Sequence, residues 1–400
     1  MADVEERNVL SVDFNYDASY FTLGLTYGFA LYKAAPVSHL FTRKFSGGLK
    51  LVKMLCKSNI FGLVGGGKSP AFPLDKLIFW DDKKNNITKQ FRFNAFITNL
   101  YMKKKMTFVL TDNELKVISL ENYSVIEQYS TVENDLGISA ISNSMNKYIF
   151  AFPDNEKINK ICVRNFSKPL NLTESKLERK KVEKKEKNEG NFSDEFEVIS
   201  DKEINQIKDE MDKDNDMYLW NVDESIDLLN EGKIVKINAH KSSIYRVGLN
   251  YEGTKLCTCS PRGTFLRIFD TKNGNFLMEF NRGVEPTLID SLAFNCNSTF
   301  LAATSEKGTM HLFVLKSSSN SVKDKALPEN KQSYFGIKSF LQYGISTKAK
   351  SIVSFLDFAA ENKKGNKILV FDFRNIVQIV SFDGYKECEV VSKDEIKFYD

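Results

Sequence analysis

The residues best suited to hold an anion are gathered between His240 and His311. The chain has only 3 histidines, and two of them bracket this stretch. At its centre Arg282 sits in Phe280-Asn281-Arg282-Gly283, on the link between two copies of one pattern. Residues 244–264 (IYRVGLNYEGTKLCTCSPRGT) and 289–309 (IDSLAFNCNSTFLAATSEKGT) align without a gap. Asn250 falls on Asn295, Thr254 on Thr299, Leu256 on Leu301 and Ser260 on Ser305. Arg262 falls on Lys307, Gly263 on Gly308 and Thr264 on Thr309. Around Asn281 the first copy offers His240, Lys241, Thr258, Ser260, Arg262 and Thr264. Around Arg282 the second offers Thr287, Thr304, Ser305, Lys307, Thr309 and His311. A doubly charged phosphate needs this mixture: a guanidinium fork, ammonium point charges, and hydroxyls and imidazoles that donate hydrogen bonds. Singly, each has a plain structural use, since Ser and Thr alternate in ordinary strands and a histidine often ties down a turn. Their convergence on one edge favours an anion site.

The elements that must position these residues are short strands. A repeat of about 40–45 residues built from such runs is the mark of propeller blades. The pattern recurs at residues 12–28, where Asn15 falls on Asn250, Phe21 on Leu256 and Gly28 on Gly263. Each copy has a strand ending in Asn, a turn, a second strand, and a Gly that supplies the positive φ of the next turn. Residues 51–82 read as a second blade, and residues 91–166 as two more, divided by turn signals such as Asp112-Asn113. From 167 to 216 the chain turns to Lys, Glu, Asp and Asn, with little to bury, and reads as a disordered charged insertion in a blade loop. Residues 217–221 and 226–229 either dock separately or rejoin the sheet, and residues 233–238 close the blade. Blade five, carrying the first copy, and blade six follow. Residues 316–343 begin polar and then gather Tyr334, Phe335, Ile337, Phe340, Leu341 and Tyr343 among Lys331 and Lys338. This segment reads as a blade-six loop, with residues 338–343 open to assignment as that blade's fourth strand. Residues 351–391 form blade seven, which the residues near Val9 are expected to complete, closing the ring and removing exposed edges. The fold class is all-β: a single seven-bladed β-propeller of WD40-like repeats over residues 1–400.

Composition narrows the function classes. The net charge of +4 implies no global nucleic-acid field, so any anion site is local. The 6 cysteines are scattered, with Cys257 and Cys259 sharing one strand face, and neither a disulfide framework nor a metal pattern is present. No cofactor or metal is expected, and a reducing compartment is. The start, MADVEERNVL, lacks the basic and apolar regions of a signal peptide, and no apolar run is long enough to span a bilayer. Residues 62–69, GLVGGGKS, match a phosphate-loop pattern. That motif works only where a helix begins at the Lys. Pro70, Pro73 and the strand-like residues 77–80 leave no room for one after Lys68, which argues against a nucleotide hydrolase.

The chain resembles the PROPPIN family, the WIPI-like seven-bladed propellers that bind phosphoinositides. The resemblance covers nearly everything outside the insertion. It is carried by VDFNYDASYFTLGLTYGFALY, MLCKSNIFGLVGGGKSPAFPLDKLIFWDD, AHKSSIYRVGLNYEGTKLCTCSPRGTFLRIFDTKNGNFLMEFNRG and SLAFNCNSTFLAATSEKGTMHLF. The family hallmark is Phe-Arg-Arg-Gly, and this chain has Phe280-Asn281-Arg282-Gly283 instead. The resemblance implies that the two hallmark positions serve two headgroup pockets on neighbouring blades, His240 belonging to the first and His311 to the second. The first pocket has then lost its arginine, which Arg262 on the same blade could partly replace. The resemblance further implies a non-enzymatic, monomeric peripheral membrane protein that binds phosphatidylinositol 3-phosphate, with the 3,5-bisphosphate as a second candidate ligand. Its expected setting is cytoplasmic, on autophagosomal, endosomal or vacuolar membranes or a plastid membrane, with autophagy-related protein partners and no nucleic acid. The blade-six loop is the implied membrane anchor, with Tyr334 and Phe335 as its aromatic pair and flanking Lys drawn to an anionic leaflet. The competing reading is a protein-interaction propeller that has lost lipid binding, for which Asn281 is the support.

Overall fold

A computed structural model describes residues 8–166, 233–315, 337–345, 349–356, 366–382 and 388–396. These residues form seven sheets, each with four antiparallel strands in chain order, to one of which the short segment Ile337–Lys338 adds a parallel edge before the chain returns to the neighbouring sheet, and no helix occurs among them. Blade one is Val9–Phe14, Tyr20–Leu25, Gly28–Ala34 and Val37–Lys44. Blade four is Ala140–Ile141, Ile149–Pro153, Lys160–Asn165 and Val235–Asn238. Blade five is Arg246–Leu249, Lys255–Cys259, Phe265–Asp270 and Phe276–Asn281, and blade six is Ile289–Phe294, Phe300–Ser305, Thr309–Val314 and Leu341–Gly344.

The repeated Asn has a structural role. The side-chain Oδ1 of Asn15, Asn250 and Asn295 accepts a hydrogen bond from the backbone N–H five residues on, at 2.9, 2.8 and 2.8 Å. All three residues are buried. Each closes the turn between the inner strand and the next, satisfying backbone groups that would otherwise be buried without partners.

Alternate residues point to opposite faces of a strand, so every blade buries two faces, one against each neighbour. On blade five, Leu256 and Phe269 pack with Ile161, Ile237 and Ala239 of the blade-four side. Cys257, Cys259, Leu266, Ile268 and Phe280 pack against Leu301, Ala303 and Phe313 of blade six. Cys257 and Cys259 are thus core thiols, and all 6 cysteines are free. Phe280 and Phe313 meet with ring centroids 4.8 Å apart, an aromatic contact that sets the spacing of blades five and six.

Two expectations change in detail. Val9–Phe14 pairs with Tyr20–Leu25 as the inner strand of blade one, so it does not complete blade seven. Blade seven draws all four of its strands, from Ser351–Phe355 to Cys388–Glu395, from its own segment. The ring closes by packing: Phe21, Leu23 and Ala30 of blade one are buried with Leu369, Phe371 and Val377 of blade seven. Residues 316–343 are not all loop, because Leu341–Gly344 pairs with Thr309–Val314 as the fourth strand of blade six. Just before it, Ile337–Lys338 runs parallel to the outer strand of blade five, bridging Phe280 to Ile337 and Asn281 to Lys338. The charged insertion, residues 217–221 and 226–229, and Tyr334 and Phe335 lie outside the described residues. The phosphate-loop match ends one strand, Ile60–Gly65, and runs through a loop to the strand Lys76–Asp81. No helix N-terminus follows Lys68, so the match lacks the geometry a phosphate loop requires.

Candidate functional site

Phe280, Asn281 and Arg282 leave the outer strand of blade five at the top of two clefts. Phe280 is packed toward blade six. By strand alternation Asn281 then faces the blade-four side, and Arg282 returns to the blade-six side. Two consecutive residues therefore serve two different inter-blade clefts, one between blades four and five and one between blades five and six.

In the second cleft Arg282 is buried, at 8 % exposure. Its Nε donates to the Gly263 carbonyl at 3.0 Å, and one terminal nitrogen donates to the Glu285 carbonyl. Arginine has five N–H donors; here Nε and one terminal nitrogen are engaged, both on main-chain carbonyls and neither on a carboxylate. Burial pushes the Arg282 pKa down, opposed by the nearby Glu285 charge. Gly263 is required where it stands. Its φ is +57°, and a Cβ there would lie 2.0 Å from the Thr287 carbonyl oxygen. The turn is tied down further by the Thr287 N–H, which donates to the Arg262 carbonyl at 3.0 Å.

His311 is on the third strand of blade six, opposite Ala303 and on the same face as Ser305, Thr309 and Phe313. That face meets blade five. Its Nδ1 lies 3.3 Å from the Ser339 hydroxyl. Burial, reinforced by the Arg282 charge, drives its pKa down to about 4, so the imidazole is neutral near pH 7. Ser305 Oγ donates weakly to the Thr309 carbonyl at 3.4 Å. Thr287 Oγ1 is buried with no hydrogen-bond partner, which for a hydroxyl in native protein asks for an explanation. At the rim, Lys307 Nζ pairs with Glu285 at 2.5 Å, and both side chains are exposed. Arg282, His311, Ser305, Thr309, Thr287 and Lys307 are thus brought to one cleft. Thr304 is not. It faces the other way, where its Oγ1 donates to the Ser351 carbonyl of blade seven at 3.0 Å, and it is fully buried. Its alignment partner in the first copy is Cys259, a core residue of the equivalent face.

In the first cleft His240 leaves the outer strand of blade four, and its Nε2 lies 3.0 Å from Thr258 Oγ1. Burial, and then the Arg267 charge, pushes its pKa down to about 4. Thr258 pairs across the sheet with Arg267, and Arg267 with Glu279. Arg267 donates to Glu279 at 2.7 Å and to the Ala239 carbonyl at 2.9 Å. Ser260 continues the Thr258 face and is half-buried, as is Thr264, whose carbonyl accepts the Arg282 N–H at 2.8 Å. Lys241 and Arg262 are exposed. Because its turn is held by Thr287 and Arg282, Arg262 is tied through its main chain to the second cleft rather than the first.

Arg267 is absent from the sequence-derived site. The two copies differ by one residue in register after the turn: Cys259 pairs with Leu266, whereas Thr304 pairs with Met310. In consequence Arg267, opposite Thr258, is the spatial counterpart of His311, opposite Ala303. A gapless alignment sets His311 on Leu266 and hides this. Among the described residues no cluster of His, Cys, Asp or Glu could hold a metal ion.

Residues 226–354 match the PROPPIN family. SVP1-like protein 2 of Saccharomyces cerevisiae is 29 % identical over 336 residues, covering 78 % of this chain and 63 % of the relative. Autophagy-related protein 18e of Arabidopsis thaliana is 27 % identical over 361 residues, covering 88 % of this chain and 79 % of the relative. The chain spans 66, 56 and 63 % of the length of three SVP1-like relatives that it matches. The structure of Kluyveromyces lactis Hsv2 superposes with a TM-score of 0.66 at 17 % identity, covering 98 % of this chain and all of that one. The chain is thus similar in sequence to the PROPPIN family through blades five and six, and shares the propeller fold of Hsv2 over nearly its whole length.

Proposed function

We propose that this chain is a non-enzymatic peripheral membrane effector that recognises phosphatidylinositol 3-phosphate through the two clefts flanking blade five. Arg282 carries the reading. It is a buried guanidinium satisfied only by main-chain carbonyls, beside a neutral histidine and an unpartnered buried threonine hydroxyl. A phosphomonoester would supply the missing acceptor to Arg282 and to Thr287. Phosphatidylinositol 3,5-bisphosphate has the same chemistry and is a second ligand of this reading. The names of relatives supply the setting: several are autophagy-related proteins. On that basis the effector is cytoplasmic and recruits autophagy-related protein partners to autophagosomal, endosomal or vacuolar membranes, with a plastid membrane as another destination. It acts as a monomer and without nucleic acid. Tyr334 and Phe335 form its membrane anchor, so that headgroup contacts and bilayer insertion reinforce one another through effective concentration.

Asn281 favours a second reading, a protein-interaction scaffold with weakened lipid binding, because the first cleft lacks the hallmark arginine. One experiment decides between them. Vesicle flotation and titration with soluble inositol 1,3-bisphosphate are carried out on the parent chain and on Arg282→Ala, beside thermal melts. Lipid recognition predicts binding by the parent and a ten- to hundred-fold loss in the variant, as expected for a charge-assisted contact worth about 1.5–3 kcal/mol. Failure of the parent to bind, or an unchanged affinity in a folded variant, overturns it.

A further inference from the structure

The first cleft lacks an arginine at Asn281, yet the fold brings a different cation to the same place. Ile337–Lys338 lies against the outer edge of blade five, with Asn281 and Lys338 directly bridged in a parallel pair. Paired residues of neighbouring strands project to the same face. The adjoining pair makes the direction definite. Phe280 and Ile337 both pack into the blade-six side, so Asn281 and Lys338 both face the blade-four side. The first-cleft row of Thr258, Arg267 and Glu279 runs across that face. The row ending in Asn281 and Lys338 lies next to it, about 7 Å along the strands, and Lys338 is one strand spacing, about 4.8 Å, from Asn281. A four-carbon stem spans such a gap. Lys338 is exposed and makes no ion pair among the described residues. Arg267, the other cation on this face, is held by Glu279 and the Ala239 carbonyl.

We propose that Lys338, delivered by the segment that returns to blade six, supplies to the first cleft the phosphate-binding cation that Asn281 does not. The cleft would then take a phosphomonoester between Lys338 and the His240–Thr258 pair, and it would do so only when the returning segment is docked on blade five. Headgroup binding at the first cleft thereby reports the position of the chain that carries the membrane anchor. This proposal rests on the phosphoinositide reading above.

The test isolates the first cleft by working in an Arg282→Ala background. Lys338→Ala, Lys338→Arg and Asn281→Arg are each added, and soluble inositol 1,3-bisphosphate, inorganic phosphate and vesicles containing phosphatidylinositol 3-phosphate are titrated, with thermal melts alongside. The expected result is residual bisphosphate binding in the background, weakened about tenfold by Lys338→Ala, retained by Lys338→Arg, and restored to the Lys338→Ala chain by Asn281→Arg. Residual binding untouched by Lys338→Ala in a folded protein overturns Lys338 while leaving the phosphoinositide reading standing, as does an absence of residual binding when the parent chain binds. If the parent chain itself binds no bisphosphate, or binds inorganic phosphate equally well, the underlying reading falls and this proposal with it.

Discussion

Acidification should weaken the fold through His240 and His311, by an amount that follows from their burial. Both are buried, and burial drives each pKa from 6.5 to about 4, with Arg267 and Arg282 respectively adding to the shift. An unfolded histidine titrates near 6.5. Between these values the unfolded chain binds more protons than the folded one, so stability rises with pH across that window and falls as pH is lowered through it. Near pH 7 both states are largely neutral and little is lost. At about pH 5 the unfolded histidine is almost fully protonated and the folded one is not, which costs about 2 kcal/mol per residue. Two such residues remove a large part of the stability of an ordinary domain.

Other groups titrate in the same range, so the assay must be a difference. Urea unfolding of the parent chain and of His311→Gln is compared at about pH 7 and about pH 5. Gln keeps a polar side chain beside the Ser339 hydroxyl but takes up no proton. The parent should lose about 2 kcal/mol more than the variant over this interval, and His240→Gln should behave alike. Equal losses in parent and variant would mean that His311 is protonated in the folded protein near pH 5. The neutral-imidazole account of the second cleft would then be wrong.

Asn281→Arg should raise affinity for vesicles containing phosphatidylinositol 3-phosphate by about tenfold, the worth of one charge-assisted contact; an unchanged titration would show either that Arg262 or Lys338 already fills the first cleft or that this cleft does not bind headgroups. The two site glycines should respond differently to alanine. Gly263→Ala meets both a φ of +57° and the Thr287 carbonyl, and should lower the melting temperature clearly, whereas a Cβ at Gly283 meets nothing within 4 Å and should be tolerated. Similar melting temperatures for the two variants would contradict the packing described for the turn. Tyr334→Ser with Phe335→Ser should reduce binding to intact vesicles by two decades or so, since burying an aromatic side chain is worth about 1.5–3 kcal/mol, while affinity for soluble inositol 1,3-bisphosphate stays the same. Equal loss in both assays would make these residues part of the core.

What could be read from the sequence was whatever repeats locally. Asn15, Asn250 and Asn295 mark the same turn because each closes it by the same side-chain hydrogen bond. The alternation of Cys257 and Cys259 with Thr258 separates a core face from a cleft face, and the structure keeps that division. Thr304 is legible too, because it aligns with Cys259 of the core face and not with the cleft-facing Thr258. Other features depend on registers that composition does not encode. A one-residue difference in hairpin pairing puts Arg267 where blade six has His311. Lys338 comes to Asn281 through a parallel bridge between segments of two different blades. No local pattern signals such a contact, because its partner residue belongs to another repeat.

That register difference also makes the two clefts chemically unequal, beyond the exchange of arginine for asparagine. The second cleft sets Arg282 beside a neutral imidazole, with the Lys307–Glu285 pair at its rim. The first sets His240 beside a guanidinium already paired with Glu279. A carboxylate within a phosphate site repels the ligand unless a cation offsets it, and Arg267 offsets Glu279 without leaving charge to spare. An added phosphate in the first cleft thus depends on a cation from outside the repeat, whereas in the second it is met by Arg282 itself. The second cleft should therefore dominate affinity. The first should respond to how the segment ahead of Leu341–Gly344 is seated, because Lys338 is part of that segment.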